Sequence, residues 1–481
     1  MKYWYPLFIL LTLLLSGLYT DYSVFVYVLS AVSLYKLLQK IGNGVALREM
    51  IAVYTCIIYL IMPMFGYQWY TANFSLAKMW VKYMPIAQET YFGFVYPAVS
   101  IFIVAMFFPS LSSTPELDTN LNLMPVIQRA QEKLKKKNIW LPLLSIGLFG
   151  FFFRSVITIS SLTFFMYSFY LVLFSALLCI YFTPRFKYRR LLLVFIILLI
   201  VYEAVQSGMF TIVVYMGVVI GSIIFIGTRI AFWKKITITA VAILFILILQ
   251  TTKGSFRKQT WRRGYEGSKV ELFTGLMKDN FSNLDKLFDK NAFFFLYTRM
   301  NQGYNVSLVM KRIPAVQDYD EGKSIYLTVA SSLLPRVIWQ DKLESGGIYN
   351  MKHFAGWNIK GWSTNIGPIG EAYGNFGVTG GIIYMFFFGL FIRTAFFIVL
   401  RLSSKYPLLL FWIPVLFFEL SYSMENDTLQ AMNAVIKGSV FVWIMYKIAP
   451  YLFTAPKKND KLTDENSPHI RNNRPGWSLP G

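Results

Sequence analysis

Between Thr252 and Asn375 an apolar chain turns polar, carrying about 17 Lys and Arg against about 11 Asp and Glu. The same stretch holds His353 and several carboxylates. Guanidinium and ammonium groups pair well with phosphate oxygens, arginine in a two-pronged fork. A carboxylate or His353 could take a proton from an attacking hydroxyl. Together these groups suit a lipid-linked phosphate or pyrophosphate, with arginines holding the leaving diphosphate and neutralising charge as its bond breaks. Trp261, Trp339, Trp357 and Trp362 could stack on sugar rings or anchor the chain at a membrane interface.

Other chemistries find little here. His353 and His469 are the only histidines, and Cys56 and Cys179, the only cysteines, lie inside apolar runs. There is no HExxH, no cysteine cluster and no glycine-rich phosphate loop. Asp318-x-Asp320 could hold a divalent ion, but the pattern is short and common. No metal and no cofactor are expected.

These residues must be held by a frame, and the frame is greasy. Of the 481 residues 56% are hydrophobic and 15% charged, with mean hydropathy +0.50. Apolar runs of about 17–22 residues match the hydrocarbon core of a bilayer and do not alternate as barrel strands would. The expected fold is an all-α polytopic membrane protein of about twelve spans. They fall near 3–20, 22–40, 49–66, 90–108, 139–157, 161–182, 191–207, 209–228, 236–252, 376–400, 407–422 and 431–453. The first run leads straight into the second and offers no small-residue cleavage site.

The net charge of +22 could suggest nucleic acid, but much of it sits in short connectors. "EKLKKKN", "PRFKYRR", "FWKK", "RLSSK" and the loop with Lys36, Lys40 and Arg48 share one side, which the positive-inside rule makes cytoplasmic. Both termini are then cytoplasmic, residues 1–453 form the integral membrane domain, and the polar tail 454–481 is expected to be disordered. Residues 253–375, between spans nine and ten, form a large outer loop. A connection that long is expected to be folded and functional. It contains an amphipathic helix candidate over Phe281–Met300, with Leu284, Leu287, Phe288 and Phe295 at helical spacing.

Ionisable residues inside spans are costly and usually functional. Arg154, Glu203, Glu371, Glu419, Glu425 and Asp427 gather near one level, the outer leaflet. They could pair with one another to hold helices, or line a site. Arg393 and Lys437 lie deeper and suggest no specific role.

Three stretches give this pattern a more specific reading: "FLYTRMNQGYN" (Phe295–Asn305), "LLPRVIWQDKLESGG" (Leu333–Gly347) and "STNIGPIGEAYGNFGVTGGIIYMFFFGL" (Ser363–Leu390). With PR-x-x-W-x-x-K followed by GEAY-x-NFG at the start of a late span, the chain resembles the Wzy-type oligosaccharide repeat unit polymerases. These are the O-antigen, capsule and exopolysaccharide polymerases of bacteria. The likeness is strongest over about 295–390; elsewhere it rests on hydropathy and span count.

The resemblance implies a frame similar to GT-C-type polymerases in the bacterial cytoplasmic membrane. It implies inverting, metal-independent glycosyl transfer at the outer face, with a growing glycan on undecaprenyl pyrophosphate as donor. A lipid-linked repeat unit accepts, and undecaprenyl pyrophosphate leaves. A chain-length regulator and a flippase are implied partners, nucleic acid is not. An Arg-x10-Gly pattern of some members is matched by Arg336 to Gly347. Arg336 and Lys342 would then point at the diphosphate, joined by Arg299, Arg154, Arg262 and Arg263. Gly346 and Gly347 would allow close backbone approach or positive φ. Asp341 would orient Arg336 or Lys342, and Glu371 would act as base or brace an arginine. The second arginine-bearing loop of many relatives corresponds to a short connection near 157–160 here.

Two rivals share the substrate. An O-antigen ligase would use the same donor with another acceptor. A flippase would move the lipid-linked glycan and make no bond, but such transporters usually have short loops on both sides.

Overall fold

The computed structural model describes residues 3–108, 117–154, 156, 160–184, 186–207, 211–257, 259–260, 264–283, 289–334, 338–343, 347–359 and 364–454. Among these there is no strand. The chain runs through α1 (Trp4–Ser16), α2 (Ser23–Lys40), α3 (Leu47–Gln68), α4 (Ser75–Met79), α5 (Gln88–Phe107), α6 (Asn120–Lys136), α7 (Trp140–Phe153) and α8 (Ser160–Phe182). It continues through α9 (Arg189–Ser207), α10 (Thr211–Ile224), α11 (Phe232–Arg257), α12 (Lys269–Ser282), α13 (Lys290–Met300), α14 (Gln302–Arg312), α15 (Lys323–Leu333) and α16 (Ile348–Ala355). The last helices are α17 (Gly367–Lys405), α18 (Ile413–Phe417) and α19 (Thr428–Ile448).

Helix occupies every one of the twelve apolar segments read from the sequence, and the segment 407–422 is broken into short pieces. Six helices among the described residues are long and apolar enough to cross a membrane: Leu47–Gln68, Gln88–Phe107, Thr163–Phe182, Phe232–Phe256, Gly367–Lys405 and Thr428–Ile448. Trp4–Ser16, Trp140–Phe153, Val213–Ile224 and Pro407–Phe417 are shorter apolar helices.

The protein buries apolar surface inside and shows it outside as well. Along α11, Trp233, Ile236, Ile238, Val241, Ile243 and Phe245 are all exposed. A helix with an apolar outer face is what a bilayer stabilises and water does not.

The core centres on α5, whose Tyr91, Phe92, Phe94, Phe102 and Ile103 are fully buried. It packs along α17, with Phe94 edge-on to Tyr373 at 5.1 Å and Phe102 stacked on Phe388 at 5.9 Å. Helices α7 and α8 form a tight hairpin. A Cβ on Gly150 would lie 2.2 Å from the Tyr170 amide nitrogen, so only glycine lets these two backbones meet.

Two features depart from the sequence reading. The segment before span five contains a full amphipathic helix, α6. It buries Leu123, Val126, Ile127, Ala130 and Leu134 and exposes Arg129, Lys135 and Lys136. Lys40 and Arg48, read above as orienting charges, are buried. Lys40 Nζ lies 2.7 Å from Asp118 Oδ2 and 3.9 Å from Glu49 Oε1. Arg48 Nη2 lies 3.4 Å from the same Asp118 oxygen, and Arg48 Nη1 donates to the Met106 carbonyl at 2.9 Å. The rings of Phe107, Phe396 and Phe397 cover the Arg48 guanidinium. Asp118 also accepts from the Val45 amide, so one aspartate ties three segments together.

The polar stretch between α11 and α17 is built from helices α12–α16. The amphipathic candidate over Phe281–Met300 appears as the end of α12 and the whole of α13; Leu284, Leu287 and Phe288 lie outside the described residues. So does the tail from 455 onward.

Candidate functional site

Helical regularity fails at three places, two of which meet where Tyr59 bonds the Met424 carbonyl. A π-turn, Ile57–Ile61, interrupts α3. Gly377 breaks α17 with φ 66° and ψ −154°, a conformation that only glycine adopts readily. The chain from Pro407 to Asp427 unwinds through 3-10 turns before α19 begins. Helix α14 of the polar stretch packs against α17 and against the π-turn of α3. π-turns and broken helices are common where helical proteins build sites.

Arg299, in the last turn of α13, reaches this junction and forms an ion pair with Glu425 in the unwound segment. The Tyr54 hydroxyl donates to the other Glu425 oxygen at 2.6 Å, and Tyr59, from the π-turn, donates to the Met424 carbonyl at 2.6 Å. The Arg299 side chain is 48% exposed while Glu425 is 14% exposed. The guanidinium is thus held from one side and open on the other.

Beside it runs a continuous hydrogen-bonded chain. His353 Nε2 lies 3.1 Å from Asp320 Oδ1, and the ring stacks on Tyr349. Asp320 Oδ2 accepts from the Ser324 amide at 2.9 Å, and Ser324 Oγ donates to Asn375 Oδ1 at 2.9 Å. Asn375 donates to the Glu371 carbonyl at 2.9 Å. The buried Glu371 carboxylate accepts from Asn350 at 2.6 Å and from the Thr428 amide at 3.2 Å. Asp427 caps α19 through the Gln430 amide at 2.6 Å and accepts from Asn365 at 3.1 Å. Asn365 in turn receives a bond from Asn305 of α14 at 2.7 Å, through its carbonyl. Two carboxylates at the start of α19 satisfy its free amides and meet the positive end of its dipole.

Burial pushes the Asp320 carboxyl up, but the bonds from Ser324 and His353 pull harder and hold its pKa below the ordinary value. A carboxyl lowered in this way adds stability above its unfolded pKa, near 4, and loses it as pH falls through the folded value. The stability advantage of the wild type over Asp320→Asn is therefore expected to be full at pH 7 and to shrink steadily as the pH falls below the unfolded pKa toward the lowered folded one. A gap between the two that stayed constant from pH 7 to pH 3 would contradict this, and melting curves of the detergent-solubilised protein measure it.

The remaining residues singled out in the sequence fall in different places. Arg154 forms an ion pair with Glu203, its guanidinium 4.2 Å from the Tyr170 ring centroid. Lys342 Nζ donates to the Ser331 and Leu334 carbonyls at 2.7 and 2.6 Å, closing the C-terminal end of α15. Asp341 is exposed on the adjoining turn. Gly347 has φ +81°, and a Cβ there would lie 2.3 Å from the Thr364 carbonyl oxygen, so both positive φ and close backbone approach occur. Arg336, Gly346, Arg262 and Arg263 lie outside the described residues. The structure thus places His353 and Glu371 on one hydrogen-bonded chain. It pairs Arg299 with Glu425, close in sequence to Asp427 of that chain, and gives Arg154 and Lys342 partners of their own.

A family model described as a domain of unknown function, DUF8712, matches residues 117–397, more than half of the chain. The chain belongs to the DUF8712 family. No curated protein and no solved structure matches it. The DUF8712 match takes in Arg299, Asp320, His353, Asn365 and Glu371. It leaves out Tyr54, Tyr59, Glu425 and Asp427, which close the junction from the other side.

Sequence reading had marked Glu425 and Asp427 as charges at the same level. Asn305, Asn365 and Asn375 fall inside the stretches that carry the resemblance but are given no role there, and Tyr54 and Asn350 are not singled out at all. Asparagines and tyrosines in apolar runs are common, and only folding shows which face a carboxylate.

Proposed function

We propose that this protein joins lipid-linked oligosaccharide repeat units at the outer face of a bacterial cytoplasmic membrane. In this reading the chain crosses the membrane about twelve times. Residues 253–375 lie outside, and the termini and basic α6 lie inside. The observation that carries the reading is the loop-borne Arg299, held by Glu425 and half open, beside a buried polar network at unwound backbone. A fixed guanidinium at such a place can bind a diphosphate whose charge grows as its sugar bond breaks.

The acceptor hydroxyl oxygen attacks the anomeric carbon of the donor sugar from the face opposite the lipid diphosphate. The new carbon–oxygen bond forms as the bond to the diphosphate breaks, and the configuration inverts. The electron pair leaves with the diphosphate, which Arg299 neutralises. The hydroxyl proton passes to Nδ1 of His353, whose ring Asp320 orients through Nε2, in the way a carboxylate orients a catalytic histidine. Glu371, bound on both oxygens, braces the start of α19.

Purified protein in lipid, given only lipid-linked repeat units and a chelator, is expected to make a ladder of longer lipid-linked glycans. No ladder with active substrate would overturn the reading. The breaks at 407–427 and in α3 favour a second reading, a transporter of the same lipid. It would give no new bond but would move labelled lipid between leaflets.

A further inference from the structure

Outside the junction just described, one cation is built into an unusual setting. Lys82 lies in the connection between α4 and α5. Its ammonium sits 4.4 Å from the Tyr304 ring centroid and 5.4 Å from that of Trp357. Among the described residues no carboxylate lies within ion-pair reach of it and no acceptor bonds it. It is partly buried and still reaches water.

The backbone beneath is clamped. The Tyr304 hydroxyl donates to the Val81 carbonyl at 2.8 Å, and the Tyr297 hydroxyl donates to the Lys82 carbonyl at 3.2 Å. Val81 is held at φ 50°, a conformation that β-branched residues avoid. Such strain persists only where the surroundings over-determine it, and it gathers at ligand sites. Two tyrosines from α13 and α14 therefore fix one lysine against a tryptophan that follows α16. Burial also lowers the ammonium's pKa, so an anion beside it would relieve a real cost.

We propose that Lys82, Tyr304 and Trp357 form a subsite for an acidic sugar, a hexuronate or sugar phosphate, within the glycan the loop handles. The acid group meets the Lys82 ammonium, and the sugar's carbon–hydrogen face lies on Trp357. The sugar assignment rests on the glycan reading above; the anion preference rests on the lysine's geometry alone. Tyr304 belongs to α14, which also carries Asn305 of the buried network, so an occupied subsite would sit on the same rigid element as the junction.

The test uses full-length protein in nanodiscs of phosphatidylcholine only. A hexuronate-containing trisaccharide and its neutral carboxamide analogue are titrated separately by calorimetry. One charge-assisted contact corresponds to at least about a tenfold preference for the acid form. Lys82→Met is expected to abolish that preference and Lys82→Arg to keep most of it, with unchanged melting temperatures. Equal binding of the two sugars by the wild type, or a preference that survives Lys82→Met, would overturn the proposal. If Lys82→Met fails to fold, Trp357→Leu serves, with weaker binding of both sugars expected and unaltered binding contradicting the model. Repeating the titration with phosphatidylglycerol in the disc separates headgroup from sugar. Undiminished sugar binding supports the subsite, and competition assigns the lysine to lipid instead. No bond is made in this assay. A missing ladder with intact acid preference therefore indicts the polymerase reading alone, and a ladder without acid preference indicts the subsite alone.

Discussion

Arg299→Ala is expected to slow the proposed joining of lipid-linked units by about 10²–10³-fold, the usual cost of removing one group aimed at developing charge. The helical body should survive the change. Glu425 keeps its bond from Tyr54, and the Arg299 side chain is already half exposed. Arg299→Lys should recover only part of the rate. A lysine can approach Glu425 as a point charge, but it lacks the planar fork that meets a carboxylate and a diphosphate at once. Radiolabelled ladder formation at matched protein levels reads both variants. Activity of Arg299→Ala within about twofold of wild type would remove the residue from the mechanism.

The second large effect concerns stability. Asp118→Ala should cost about 3–5 kcal/mol, because it leaves Lys40 and Arg48 buried without their shared carboxylate. Glu49, 3.9 Å from Lys40, compensates only in part. The loss should appear as a large drop in the denaturant midpoint of unfolding. Replacing an exposed cation of α6, such as Lys135, should change it little. An unchanged midpoint for Asp118→Ala would mean that water reaches the cluster.

These two pairs also mark where sequence reading succeeds and where it stops. Spans are legible because hydropathy is a local sum over about 20 residues. The positive φ of Gly347 and the helical content of 253–375 were within reach for similar reasons: glycine spacing and loop length are local facts. Pairing is not local. Arg48 meets an aspartate 70 residues away, and Tyr54 meets a carboxylate 371 residues away. Nothing in the composition near Lys40 or Arg48 tells a buried cation from one at a headgroup, since each stands at the end of an apolar helix. Arg154 illustrates the same limit. Its level in the chain was readable, but its partner Glu203 is known only from the fold.

The proposed function requires the polar stretch to face the outer side of the membrane. Cys56 and Cys179 are both buried, so a single introduced cysteine can be labelled over a quiet background. Tyr326→Cys in α15 and Lys135→Cys in α6 occupy exposed positions on the two segments assigned to opposite sides. In intact spheroplasts a membrane-impermeant maleimide should label position 326 and leave position 135 unreacted until the membrane is opened. Labelling of position 135 alone in intact spheroplasts would place the arginines on the cytoplasmic side and contradict the account.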